Sequence, residues 1–237
     1  LHDALPICIF VKQNARVKKN FKPFLIILPI LAILLSSCNG QIKISVDKAG
    51  NADIEFASSM GTALENLIVS LSSSDNPPNS SETETPFFDS SAIKNSLTHS
   101  GLKNIQVKTP KRTSVNFSAQ LPDLKNKQNI LAQTLKFTGS SLTFTISPEI
   151  AFQIKNSMDE DVQSYIDLLM APVFSGESMQ LSEYTELVSS VYGQQIADEL
   201  LSSRISIHLS IPGNSKTFEV PLTQLLTVSD KLEFYLN

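Results

Sequence analysis

Apolar residues alternating with polar ones at a period of two constrain this chain more than any other feature. Ile42, Ile44 and Val46 are answered by Ile54 and Phe56 across residues 47–51, a turn carrying Ala-Gly-Asn. Ile105 and Val107 are matched by Val115, Phe117 and Ala119, and Phe137 precedes a Gly-Ser-Ser turn into Leu142, Phe144 and Ile146. Near the end come Ile205, Ile207, Leu209 and Ile211, then Phe218 and Val220, then Leu232, Phe234 and Leu236. Successive side chains of a strand point to opposite faces, so the pattern predicts strands joined as hairpins. Alternation, in place of solid apolar runs, predicts antiparallel sheet with one face wet or lightly covered.

Helical signals separate the hairpins. Thr62-Ala-Leu-Glu65 has capping-box spacing and predicts a helix over 64–71. Asp89-Ser-Ser91 caps a short helix over 93–97, and another is expected over 122–135. Ser147-Pro148-Glu149 places Pro at a first helical position and opens a stripe of Ile150, Ile154, Met158, Val162, Ile166 and Leu169. Spacings of four and three put these on one helical face, expected to pack along the inner side of the sheet. A further helix over 182–202 turns Tyr184, Leu187, Val188, Val191, Ile196 and Leu200 inward. Gly193 interrupts it, for close packing in preference to a kink. The expected class is α+β: antiparallel sheets built from hairpins, with helices packed on one face.

Residues 72–91, SSSDNPPNSSETETPFFDSS, carry Ser, Pro and acids and are expected to form a mobile loop. Phe87-Phe88 reads as an anchor returning that loop to the core, or as a hook for a partner, the anchor being preferred.

No Met precedes Met60. Residues 1–7, LHDALPI, resemble the conceptual translation of a sequencing adaptor; they are set aside as an expected assembly artefact, with Val17 (a GTG start) as the expected first residue. Lys18, Lys19 and Lys22 then precede an apolar run over 23–35. Such a run spans about 20 Å as a helix, against a hydrocarbon core of about 30 Å. It reads as a secretion signal and not as a transmembrane helix.

The run closes on Leu35-Ser36-Ser37-Cys38, which resembles the lipobox of bacterial lipoproteins. The resemblance implies diacylation of the Cys38 thiol, cleavage before Cys38 and acylation of the new amine with fatty acids such as palmitate. Asn39 stands where Asp would hold such proteins at the inner membrane, so the outer membrane, on its periplasmic face or the cell surface, is favoured.

Loss of residues 1–37 removes five bases (Lys12, Arg16, Lys18, Lys19 and Lys22) and one acid (Asp3), turning 19 Lys+Arg and 23 Asp+Glu into 14 and 22, a formal charge of −8. That balance argues against nucleic acid and against electrostatic docking on anionic lipid. The basic cluster over 108–112 is expected at a solvated Thr-Pro hairpin tip. With Cys38 acylated the folded part holds no thiol, so its stability must come from the core.

Residues 38–147 and 148–237 form two halves of one continuous domain. The first resembles the LppM-like domain of bacterial lipoproteins: a strand just after the lipidated Cys, an acid-and-Gly hairpin, a helix, and a second hairpin with Leu121-Pro-Asp-Leu124 opening a helix. The second is similar to uncharacterised spirochaete lipoproteins in Leu169-Met-Ala-Pro-Val-Phe-Ser-Gly-Glu177, Glu183-Tyr184 and Val191-Tyr-Gly193. Neither resemblance carries a catalytic activity.

Chemistry is hard to find. His99 and His208 lie in no ligand spacing; His208 falls on the polar phase of its strand and His99 suits a helix C-terminus. Asp159-Glu160-Asp161 follows Ser157 as a capping box and needs no metal. Ser91-Ala-Ile-Lys94 matches a two-letter pattern of penicillin-recognising enzymes without its companion motif. Glu177, Glu183 and Glu186 are isolated carboxylates. No nucleophile elbow, phosphate loop or zincin motif occurs. The reading is a non-enzymatic, lipid-anchored cell-envelope module, without cofactor or metal, that binds an envelope protein or a small or lipidic ligand. The alternatives are an envelope hydrolase and a periplasmic lipid carrier.

Overall fold

The computed structural model describes residues 39–72, 87–124, 130–155, 167 and 169–237. Strands β1 (Asn39–Val46) and β2 (Ala52–Ser59) form the first hairpin, with Ile44 opposite Ile54 and Ile42 opposite Phe56. Its turn is tied by Asp47, which accepts from the Asn51 backbone N–H at 2.9 Å and from Asn51 Nδ2 at 2.8 Å. Helix α1 (Thr62–Ser72) follows. Helix α2 (Ser90–His99) starts where Asp89 accepts from the N–H groups of Ser91 and Ala92. Strands β3 (Lys103–Lys111) and β4 (Ser114–Leu121) make the second hairpin. Helix α3 (Ile130–Thr134) runs into β5 (Leu135–Phe137) and β6 (Leu142–Ile146). Then come α4 (Pro148–Lys155), α5 (Ala171–Ser175), α6 (Leu181–Tyr192), α7 (Gln194–Ser202), the hairpin β7 (Arg204–Ile211) and β8 (Asn214–Pro221), α8 (Leu222–Leu226) and β9 (Leu232–Leu236).

Six strands form one sheet in the order β3-β4-β2-β1-β7-β8, and β5-β6-β9 form a second. The fold is α+β, built largely from antiparallel hairpins. One pairing departs from that pattern: β1 and β7 run parallel, Asn39 opposite Arg204 through Ser45 opposite Ser210. The large sheet is therefore mixed, and the 38–147 and 148–237 halves each contribute strands to both sheets.

The alternation decides which face is covered. Ile44, Val46, Ile54, Phe56, Val115, Phe117, Ile205, Ile207 and Leu209 are buried on the inner face. They join one cluster with Leu97, Tyr184, Val188, Ile196, Leu200, Leu222, Leu225 and Phe234 from the helices and the small sheet. Phe56 stacks on Phe117 across β2 and β4 at 5.3 Å. Phe234 joins the sheets, stacking on Phe144 and meeting Phe218 edge-on. Tyr184 is buried, which raises its phenol pKa, and its O–H donates to the Leu169 carbonyl at 2.8 Å.

Several local expectations are corrected. Thr62-Ala-Leu-Glu65 is not a capping box. The helix begins at Thr62 itself, and Glu199 of α7 accepts from the N–H groups of Ala63 (2.8 Å) and Leu64 (3.3 Å). A Cβ at Gly61 would fall within the Glu199 carboxylate, so this approach requires glycine. The helix expected over 122–135 is reduced among described residues to α3, because Leu135 pairs with Phe144 in the small sheet. The helix over 182–202 is two. Gly193 adopts φ +90° and ψ 159°, open to glycine alone, and nothing lies within 4 Å of its would-be Cβ. It marks a break, not a tight contact, and Val191 beside it is exposed. The chain stays in β3 through Thr109-Pro110 as far as Lys111, and the turn falls at Arg112-Thr113. Phe88 is core, and Phe87 stacks under the Arg112 guanidinium at 4.3 Å, so the pair anchors the chain. Of the long stripe, Ile150 is half-buried and Leu169 buried; Met158, Val162 and Ile166 lie outside the described residues, as do Cys38, Asp159, Glu160 and Asp161. The loop expected over 72–91 is narrower at both ends, since Ser72 closes α1 and Ser90 opens α2, and its residues 73–86 lie outside the described residues.

Candidate functional site

The outer face of the six-stranded sheet is built from the polar phase of the same alternation. Register aligns these side chains into four rows across the strands. The first runs Lys103, Gln120, Asp53, Ser45, Ser210, Ser215; the second Gln106, Ser118, Glu55, Lys43, His208, Thr217. The third runs Lys108, Asn116, Ala57, Gln41, Ser206, Glu219; the fourth aligns Lys111, Ser114 and Ser59 on β3, β4 and β2, and Arg204 with Pro221 on β7 and β8. Lys43 meets Glu55 at 3.4 Å, an exposed pair of small energetic value. His208 shares a hydrogen bond with Thr217 Oγ1 through Nδ1 at 2.9 Å.

The third row holds the centre. Two shallow depressions, of about 280 and 470 Å³, share Gln41, Ala57 and Asn116. Ala57, the smallest side chain in its row, leaves the hollow. The Gln41 and Asn116 amides border it, and each can donate and accept. Charges of both signs surround this uncharged middle: Lys43, Glu55 and Lys108 at one depression, Arg204 and Glu219 at the other. The face suits many simultaneous hydrogen bonds to a broad polar surface.

The residues weighed from sequence do not converge. His208 lies on this face, whereas His99 closes α2, its Nδ1 against the Asn95 carbonyl at 2.7 Å. Ser91 and Lys94 sit a turn apart on exposed positions of α2. Glu183 accepts from the Gln180 N–H at the start of α6, a structural cap. Glu186 borders a separate depression between α6 and α7, and Glu177 precedes α6. Among the described residues no group of three His, Cys, Asp or Glu could hold a metal ion. None of their helices is long and apolar enough to cross a membrane. Sequence reasoning missed Gln41, Ala57 and Asn116. Their only signal was polar phase, which marks a face but not a centre.

The fold and this face define a class: an α+β domain whose large mixed sheet is covered on one side and bare and polar on the other among the described residues. No protein family matches the chain, and no curated protein does.

Proposed function

We propose that this protein is a bacterial cell-envelope lipoprotein, held by acyl chains on Cys38, that works by binding another envelope protein and not by catalysis. One observation carries the reading: the lipobox cysteine lies one residue before β1, a central strand of the sheet that carries the outer face. Acylation at Cys38 would fix that face at a membrane, the outer membrane being favoured by Asn39. A protein partner fits better than a small or lipidic ligand. Small-molecule sites are concave and enclose most of the ligand, whereas this face is broad and open, with charges of both signs at its rim. A hydrolase would need a nucleophile and a base within hydrogen-bond reach, and a lipid carrier an apolar cavity.

Each buried CH₂ contributes about 0.8 kcal/mol, and stable anchoring takes two chains or more. Cys38→Ala should therefore lose labelling by radioactive palmitate and move from the detergent phase to the aqueous phase on partition. Label retained by the Ala variant would overturn the reading.

A further inference from the structure

The anchor and the sheet are joined without a spacer. β1 pairs with β7 from its first residue, Asn39 opposite Arg204, and with β2 from Gln41 opposite Ala57. Consecutive Cα atoms are about 3.8 Å apart, so Cys38 cannot stand far from Asn39. Strand directions then fix what gathers at that end. β2 and β3 end there, β4 and β7 begin there, and so the turn at Arg112-Thr113 lies there too. The nearest row of the outer face carries two bases, Lys111 and Arg204, and no acid. The turns at residues 47–51 and 212–213 lie at the opposite end. β1 spans eight residues, about 26 Å at about 3.3 Å each.

Resting on the lipidation of Cys38, we infer that the end of the large sheet where β1 begins is a membrane-contact surface, seated on the phospholipid headgroups. The strands rise away from the bilayer and the polar outer face is presented sideways. The interfacial partner is the lipid surface itself. The bases of the nearest row, Lys111 and Arg204, lie at the edge of the outer face beside that surface. A protein bound to the outer face would stand beside this one on the same membrane.

Acylation consumes the Cys38 thiol, so an introduced cysteine in the lipidated protein is the single reactive thiol of the mature chain. Lys111→Cys marks the near end; Ala49→Cys and Pro212→Cys mark the far turns, and all three positions are exposed. Each lipidated variant would be labelled with a small fluorophore and placed on phosphatidylcholine vesicles containing a headgroup-nitroxide lipid. Quenching at position 111 should exceed that at 49 and 212 at least twofold. Inserting twelve Gly/Ser residues between Cys38 and Asn39 should abolish the difference. Protein that does not float with the vesicles overturns the lipidation reading and this inference with it. Protein that floats but is quenched equally at both ends overturns the inference alone. A difference that survives the linker overturns the missing spacer as its cause.

Discussion

Glu199 illustrates how one residue can join distant parts of the chain. Its carboxylate serves the free N–H groups at the start of α1, replacing the local cap that the spacing of Thr62 and Glu65 predicts. Losing such an acceptor costs about 0.5–2 kcal/mol. Glu199→Ala should cost that much in urea melts. Gly61→Ala should cost more in the parent than in the Glu199→Ala background, because its Cβ collides with the carboxylate. A coupling of at least about 0.5 kcal/mol is expected for groups in contact, and strictly additive losses would refute the contact. Asp47 gives a pH test. Its hydrogen bonds to the Asn51 side chain and then the Asn51 backbone hold its pKa below the ordinary 3.8. A depressed folded value means the turn gains stability above the unfolded pKa and loses it as pH falls through the folded one. Carboxyl-carbon NMR should place Asp47 below 3.8, and Asn51→Ala should move it upward; a midpoint at or above 3.8 in the parent would contradict the turn geometry.

At the scale of elements, what was legible depended on how local the cause was. The first hairpin was legible in its strands and turn, because alternation and a turn of residues 47–51 fix both partners, whereas the second was legible in its strands and not in the place of its turn. The α2 start was legible because Asp89 acts on its own neighbours. The α1 start was not, since its cap comes from residue 199. Nor was the parallel pairing of β1 with β7, because alternation names a buried face but not a neighbour. The same limit hid the centre of the outer face, where Gln41, Ala57 and Asn116 meet only through strand order. Gly193 was visible as a breaker and misread as a packing site. Its conformation sets the angle between α6 and α7, and an L side chain there stores about 1–3 kcal/mol of strain. Gly193→Ala should destabilise by that amount in chemical melts, with open space around the new methyl leaving conformation as the cause. A neutral result would mean that the chain reaches the same break another way.

Across the whole molecule, β1 draws its two neighbours from opposite ends of the sequence, β2 beside it and β7 after all residues between Val46 and Arg204. A chain ending at Ser203 should therefore keep its first two hairpins in sequence yet lose the cooperative thermal transition, since Ile205, Ile207 and Leu209 are removed from the core. A sharp transition in that truncated chain would show the first half to be an independent unit. The same topology orders events during synthesis. Translation adds roughly 5–20 residues per second. The strand nearest the N-terminus thus waits on the order of ten seconds or more for its last partner, with a hydrogen-bonding edge open. That interval is a window for wrong pairing, and it belongs to the nascent chain and not to the finished protein. Its length is set by strand order alone, through the residues that separate β1 from β7.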